Sequence, residues 1–209
     1  AYEQYYNEFY YCSNDTIGEL AGQAFLAAME KKGMPTDTGI IGVNMNVENE
    51  ALNHRIQAFR DYIAANAPAL KMTETYYNNN VVENSQTNAE NIISSYGKEL
   101  IGMYSGNNIT ADGVCNAVRG AGLGEKFVSV GVDSDDIEIK ALRDGFLDAI
   151  VVQNAYEQGY KCMENAIRTV VTGANPETEK QINCPPVIVT TDNIDSAEIE
   201  FIMNPHLAN

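Results

Sequence analysis

Continuous apolar runs of strand length alternate with helical periods along almost the whole chain, and no other feature restricts the fold as tightly. The run TGIIGVNM at 38–45 has no polar face until its end. A strand reads this way when helices cover both faces of a parallel sheet. The segment 16–32 places Ile17, Leu20, Ala21, Ala24, Phe25, Ala28 and Met29 at the three- and four-residue spacing of one helical face. Thr16 with Glu19 has the pattern of a capping box, and Gly33 with Pro35 stops the helix. The same reading predicts strands at 38–45, 70–77, 99–104, 127–132, 147–152 and 187–190. Helices are predicted at 16–32, 49–66, 82–96, 109–121, 135–144 and 155–171. Strand and helix alternating at this spacing imply right-handed crossovers and an α/β fold with a doubly wound parallel sheet.

Nearly every predicted strand ends in a polar residue able to bond hydroxyls: Asn44 and Asn46, Asn78 to Asn80, Asn107, Asp133 and Gln153. Ligands of open α/β sheets bind at that edge, whereas stability alone would place apolar residues there. A receptor for a small molecule rich in hydroxyls is expected. Within Asp133-Ser134-Asp135-Asp136, Asp135 and Asp136 favour the positive end of the following helix, with Asp133 or Ser134 as its cap. A magnesium site is the less favoured alternative. Asp133 can also accept bonds from two hydroxyls. Arg55, about one turn into its helix, reads either as a solvated residue or as an inward bidentate donor. His54 reads as a surface residue, and the glycines at 120, 122 and 124 as a helix stop and turn.

The 209 residues, 44% of them hydrophobic, suffice for one substantial core or two modest ones. A net charge of −16 argues against nucleic acid and against anionic membrane surfaces. No apolar run reaches transmembrane length. Cys12, Cys115, Cys162 and Cys184 are too scattered for a zinc site and are expected as buried or half-buried small apolar residues without a disulfide. No GxSxG, HExxH or lysine-centred pattern occurs, so neither catalysis, a metal nor a cofactor is expected. The apolar face of helix 155–171, with Ala155, Cys162, Met163, Ala166, Ile167, Val170 and Val171, needs a sheet to cover. Residues 1–11 are crowded with tyrosine and lead straight into a helix, so part of that sheet is expected upstream of Ala1.

Five elements together resemble a known family. RIQAF at 55–59 is similar to an RxxGF element, SGNNITADG at 105–113 to an xxND-x-x-A-x-G element, and GVD at 131–133 to a GFD element. LDAIVVQNAYEQGYKCMENAI at 147–167 and PVIVTTDNID at 186–195 complete the set. In order and spacing they resemble the ribose-binding branch of type I periplasmic solute-binding proteins of sugar ABC transporters, over about 13–195. The resemblance implies two lobes joined by crossovers near 12–14, 153–154 and 184–187. Residues 13–153 with 186–209 would form one sugar-binding lobe, and 1–12 with 154–185 a remnant of the other. It places sugar contacts at Arg55, Asn107, Asp133 and Gln153. An aromatic contact falls within 76–80, where Asn80 aligns and Tyr76 or Tyr77 could replace it. Ala58, Asn108 and Val132 depart from the family's glycine, aspartate and phenylalanine. The implied function is an extracytoplasmic receptor delivering a monosaccharide, pentose or hexose, to an ABC permease, held to the membrane only through an upstream lipid anchor. This chain alone is expected to bind weakly and to self-associate. The effector domain of a lac-repressor-type regulator, or a sugar sensor domain, is the alternative.

Overall fold

The computed structural model describes residues 6–175 and 179–205, so residues 1–5 and 206–209 of the expected terminal segments lie outside the described residues. In chain order the elements are β1 (Phe9–Tyr11), α1 (Asn14–Lys31), β2 (Ile40–Met45), α2 (Glu50–Asn66), β3 (Lys71–Tyr77), α3 (Val82–Tyr96), β4 (Leu100–Ser105) and α4 (Asn108–Gly120). There follow β5 (Val128–Val132), α5 (Asp136–Asp144), β6 (Ala149–Val152), α6 (Ala155–Thr172), β7 (Gln181–Asn183), β8 (Val187–Val189) and α7 (Ala197–Met203).

Six strands form one sheet in the order β3-β2-β4-β5-β6-β8. The first five are mutually parallel, as the alternation implies. β8 is antiparallel to β6 and closes one edge of this otherwise parallel sheet. The reason is the route of the chain. It leaves the sheet at Val152, runs through α6 and β7, and re-enters at Val187 directly opposite Val152. A strand that starts beside the end of its neighbour must run the other way. β1 and β7 form a separate two-stranded parallel sheet, with α6 packed on β1. The chain passes between the sheets at 12–13, 153–154 and 184–186. There Cys184 N–H donates to the Tyr11 carbonyl (2.7 Å) and Ser13 N–H to Asn183 Oδ1 (3.1 Å).

α1 and α2 pack one face of the large sheet around Phe25, Phe59 and Tyr104, whose rings meet edge-on (6.0 Å) and stacked (4.1 Å). α3 and α4 cover the other face over Ile92, Met103 and Val114, and α5 and α7 close it near β6 and β8 over Leu142, Ile150 and Ile199. The cap of α1 is Ser13, whose Oγ accepts from Thr16 N–H, and not Thr16 itself. Asn14 and Asp15 extend the helix beyond the apolar period that marks it in sequence. β1 and β7, three residues each, are too short for any periodicity to show. The expected apolar face of α6 is exposed, with Met163, Ile167, Val170 and Val171 between 56% and 84% accessible. Only Asn165 of that helix is buried. Cys12, Cys115 and Cys184 are buried and Cys162 is exposed, contrary to expectation, because it shares that face; all four thiols are free.

Gly18 lies where α1 meets α2, and a Cβ there would stand 2.1 Å from the Arg55 carbonyl oxygen. Gly18→Ala is therefore expected to cost about 1–3 kcal/mol in urea unfolding, since a backbone carbonyl cannot yield as a side chain does. Gly120→Ala, with open space around it, is expected to stay within about 0.5 kcal/mol of the parent.

Candidate functional site

The chain winds outward from β2 in both directions, first to β3 and then to β4, which places the topological switch point at the carboxyl ends of β2 and β4. Such a point opens a crevice because the connecting loops diverge there. Asn44 and Ser105 stand opposite each other at this position, and Gly106 N–H donates to the Asn44 carbonyl (3.1 Å). Both side chains are wholly buried, and with the Tyr104 hydroxyl they have no hydrogen-bond partner among the described residues.

Arg55 is 6% exposed, which rules out the solvated reading. Its Nε and Nη2 donate to Asn14 Oδ1 (3.1 and 2.8 Å), and Nη1 donates to the Gly106 carbonyl (2.6 Å). One guanidinium thus ties the start of α1 to the loop after β4, using three of its five N–H donors. Asn107 caps α4 by position and is nearly buried. Its Oδ1 accepts from the Thr110 hydroxyl, which in turn accepts from Asn78 Nδ2 (2.8 Å).

Asp133 follows β5 with φ +83°, a left-handed conformation that costs any residue bearing a Cβ. Its N–H donates to the Val151 carbonyl (2.9 Å), and Oδ1 accepts from Gln153 Nε2 (2.7 Å). Arg55 and Asp133 share a neighbourhood. The buried Tyr104 phenol is pushed upward in pKa by burial, while Arg55 draws it down and Asp133 adds to the rise. Burial likewise pushes the Cys12 thiol up to about 11, with Arg55 opposing and Cys184 and Asp133 reinforcing the shift.

The turn after β3 stands apart from this group. Asn79 and Asn80 are both left-handed and exposed. Asn80 N–H donates to Asn78 Oδ1 (2.9 Å) and its own Oδ1 accepts from Asn46 Nδ2 (3.5 Å). Tyr76 and Tyr77, adjacent on a strand, are half-buried against the clusters on opposite faces of the sheet. The structure thus pairs Asp133 with Gln153 and ties Arg55, from α2, to Gly106 beside Asn107, while Asn80 bonds within its own turn and to Asn46.

Capping in the acidic run falls to Asp135, not to Asp133 or Ser134: its Oδ1 accepts from Ile137 and Glu138 N–H, both at 3.0 Å. Among the described residues no group of His, Cys, Asp and Glu is arranged to hold a metal ion. His54 is exposed beside Asp15, with Nδ1 3.0 Å from Oδ1. α4 ends at Gly120, and Gly122 turns the chain with φ +66°. Sequence reasoning missed Asn14, Tyr104 and Thr110. Asn14 sits at the junction of crossover and helix, where no period marks it, and Tyr104 reads only as core. The asparagine at the start of a helix was the one signal available for Asn14.

An open groove of about 740 Å³ lies where the chain crosses between the sheets, bounded by Phe9, Tyr11, Asn14, Asn49 and His54. A second cavity of about 460 Å³ lies at the amino edge of the large sheet between α1 and β8, lined by Ala24, Ala28, Leu147 and Ile188. It touches none of the strand-end residues.

The periplasmic binding protein domain family matches residues 6–174. An ABC transporter solute-binding protein from Agrobacterium vitis, with bound D-fucose, is 30% identical with a TM-score of 0.81, over 95% of this chain and 65% of that one. A carbohydrate transporter solute-binding protein from Agrobacterium radiobacter, in complex with D-arabinose, is 25% identical with a TM-score of 0.85, over 95% and 66%. A second Agrobacterium vitis solute-binding protein, bound with α-D-tagatopyranose, shares the fold at 20% identity and a TM-score of 0.81. The chain spans just under two thirds of the length of these relatives. The family match over residues 6–174, on a doubly wound sheet, makes this chain a member of the periplasmic binding protein family, beside the solute-binding proteins of sugar ABC transporters.

Proposed function

We propose that this chain forms the larger part of an extracytoplasmic receptor that holds a monosaccharide between two lobes and delivers it to an ABC permease. The observation that carries this reading is Asp133: a carboxylate in a strained backbone conformation at a strand end, with one oxygen held by Gln153 and Arg55 in the same neighbourhood. Strain of that kind persists where the side chain is needed.

The donor and acceptor set suits vicinal hydroxyls. Asp133 Oδ2 accepts, Gln153 Oε1 accepts, the Asn107 amide nitrogen donates because its oxygen is taken by Thr110, and the two remaining N–H groups of Arg55 donate. Arg55 also acts by positioning, since Asn14 and the Gly106 carbonyl hold most of its guanidinium. Asn80 and, as the aromatic contact, Tyr76 or Tyr77 complete the proposed sugar contacts. The relatives with bound D-fucose and D-arabinose favour a neutral pentose or hexose as ligand. Among the described residues, 13–153 with 186–205 act as one lobe, and 6–12 with 154–175 and 179–185 belong to the other. The exposed apolar face of α6 receives the remainder of that lobe, and closure is a hinge motion at the three crossings.

Calorimetric titration of the full-length receptor, with both lobes complete, against D-fucose, D-arabinose and further pentoses and hexoses tests this reading. Saturable binding of one sugar is expected, weakened about tenfold or more by Asp133→Ala, the worth of a hydrogen bond to a charged group. Silence across the panel, or unchanged affinity in that variant, overturns it. Arg55→Lys is expected to lower stability in urea unfolding by about 2–4 kcal/mol, because lysine cannot span Asn14 and Gly106 together.

A further inference from the structure

Where the chain first and last crosses between the sheets, two cysteines stand side by side. β1 and β7 are parallel and pair Phe9 with Gln181, Tyr10 with Ile182 and Tyr11 with Asn183. Cys12 and Cys184 are the residues that follow directly on the two strands. The Cys184 N–H donates to the Tyr11 carbonyl (2.7 Å), so the strands have not parted at that level, and the Asn183 side chain takes up the Ser13 N–H (3.1 Å) just beyond.

Side chains alternate along a strand, and residues paired across a parallel ladder point to the same face. Phe9 and Tyr11 stack on one face with ring centres 5.5 Å apart. Tyr10 lies on the other, toward α6, where its hydroxyl accepts from Asn165 Nδ2 (3.2 Å). Cys12 and Cys184 share that second face. Neighbouring strands lie about 4.8 Å apart, inside the range of about 4.4–6.8 Å between Cα atoms that a disulfide bridges. The thiols also act on each other, Cys184 adding to the rise that burial imposes on Cys12. Cys115 belongs to α4 and Cys162 to the exposed face of α6, and neither lies on this ladder.

We propose that Cys12 and Cys184 form a modification site, at which an oxidant carrying a disulfide joins them and staples the first crossing to the last. Cys12 borders the groove at the crossings whereas Cys184 is wholly buried, so the oxidant enters at Cys12. The Cys12 thiolate attacks one sulfur of the oxidant and expels a thiolate, leaving a mixed disulfide. The Cys184 thiolate then attacks the Cys12 sulfur and expels the second. Two protein thiols lose two electrons and two protons, and the oxidant ends as two thiols. The free thiols of the structure are the reduced form. The adjacency of the pair is independent of the proposed function; contact with such an oxidant rests on the extracytoplasmic reading, since disulfides persist in that setting. The bond closes a loop over most of the chain, the case in which a cross-link most restricts the unfolded state.

Burial raises both thiols, so the folded protein is slow to oxidise. The full-length receptor is therefore unfolded in urea, refolded in a mixture of oxidised and reduced glutathione, quenched with an alkylating agent and mapped as peptides without reduction. A peptide pair joined through Cys12 and Cys184 is expected in most molecules, with Cys115 and Cys162 alkylated. Free Cys12 and Cys184 in the refolded protein, or either one joined to a different cysteine, overturns the proposal. Urea unfolding of the oxidised form, set against the same sample after dithiothreitol, reads the staple. A midpoint about 1 M higher is expected from so long a loop. An equal or lower midpoint overturns the staple, because the bond then strains the crossings as much as it restrains the unfolded chain. Cys184→Ser is expected to lose both the linked peptide and the midpoint difference, and a difference that survives in it overturns the assignment to this pair. No sugar enters these measurements, so failure of the receptor reading leaves their outcome unchanged.

Discussion

A guanidinium buried to 6% exposure has to be paired, and the way Arg55 is paired organises the edge of the sheet where the site lies. Its partners come from distant parts of the chain, Asn14 at the start of α1 and Gly106 between β4 and α4. Breaking such a contact leaves buried N–H donors of a charged group unsatisfied, which costs more than losing an exposed ion pair. The close approach of α1 and α2 at Gly18, against the carbonyl of that same arginine, is part of the same constraint. Helix pair and strand-end loop are tied together by one residue, and Asn107 follows the glycine whose carbonyl it holds.

Around that anchor the polar groups divide by what they can still do. Asn107 has its oxygen committed to Thr110 and Asn78, so its cap position is rigid and its nitrogen is the group it offers. Asp133 has one oxygen committed to Gln153. Commitments of this kind fix the side chains before any partner arrives.

The parallel core was legible because burial on both faces leaves runs such as IIGVNM without a polar side, and the strand-end polar residues stood out because each interrupts such a run. What escaped reading depends on contacts distant in sequence. β8 runs antiparallel because of where the chain re-enters, which no local pattern encodes. Strands of three residues carry no period, and the cap of α1 precedes the apolar face that marks the helix. The apolar stripe of α6 was read correctly as a stripe, but its exposure concerns what packs on it, and composition is silent on that. Arg55 left two readings open because one arginine within a helix looks alike whether it faces water or the core; only Asn14, 41 positions away, decides it.

The strand order leaves β3 and β8 at the borders of the large sheet, each with a row of backbone groups facing outward. An unprotected border of this kind recruits strands from other molecules. β3 carries exposed Lys71 and Glu74, whose charges resist stacking against a second copy. β8 is only three residues long and follows Pro185 and Pro186, which lack the N–H that a growing ladder requires. The borders of the sheet are thereby guarded against edge-to-edge aggregation, one by charge and the other by shortness and proline.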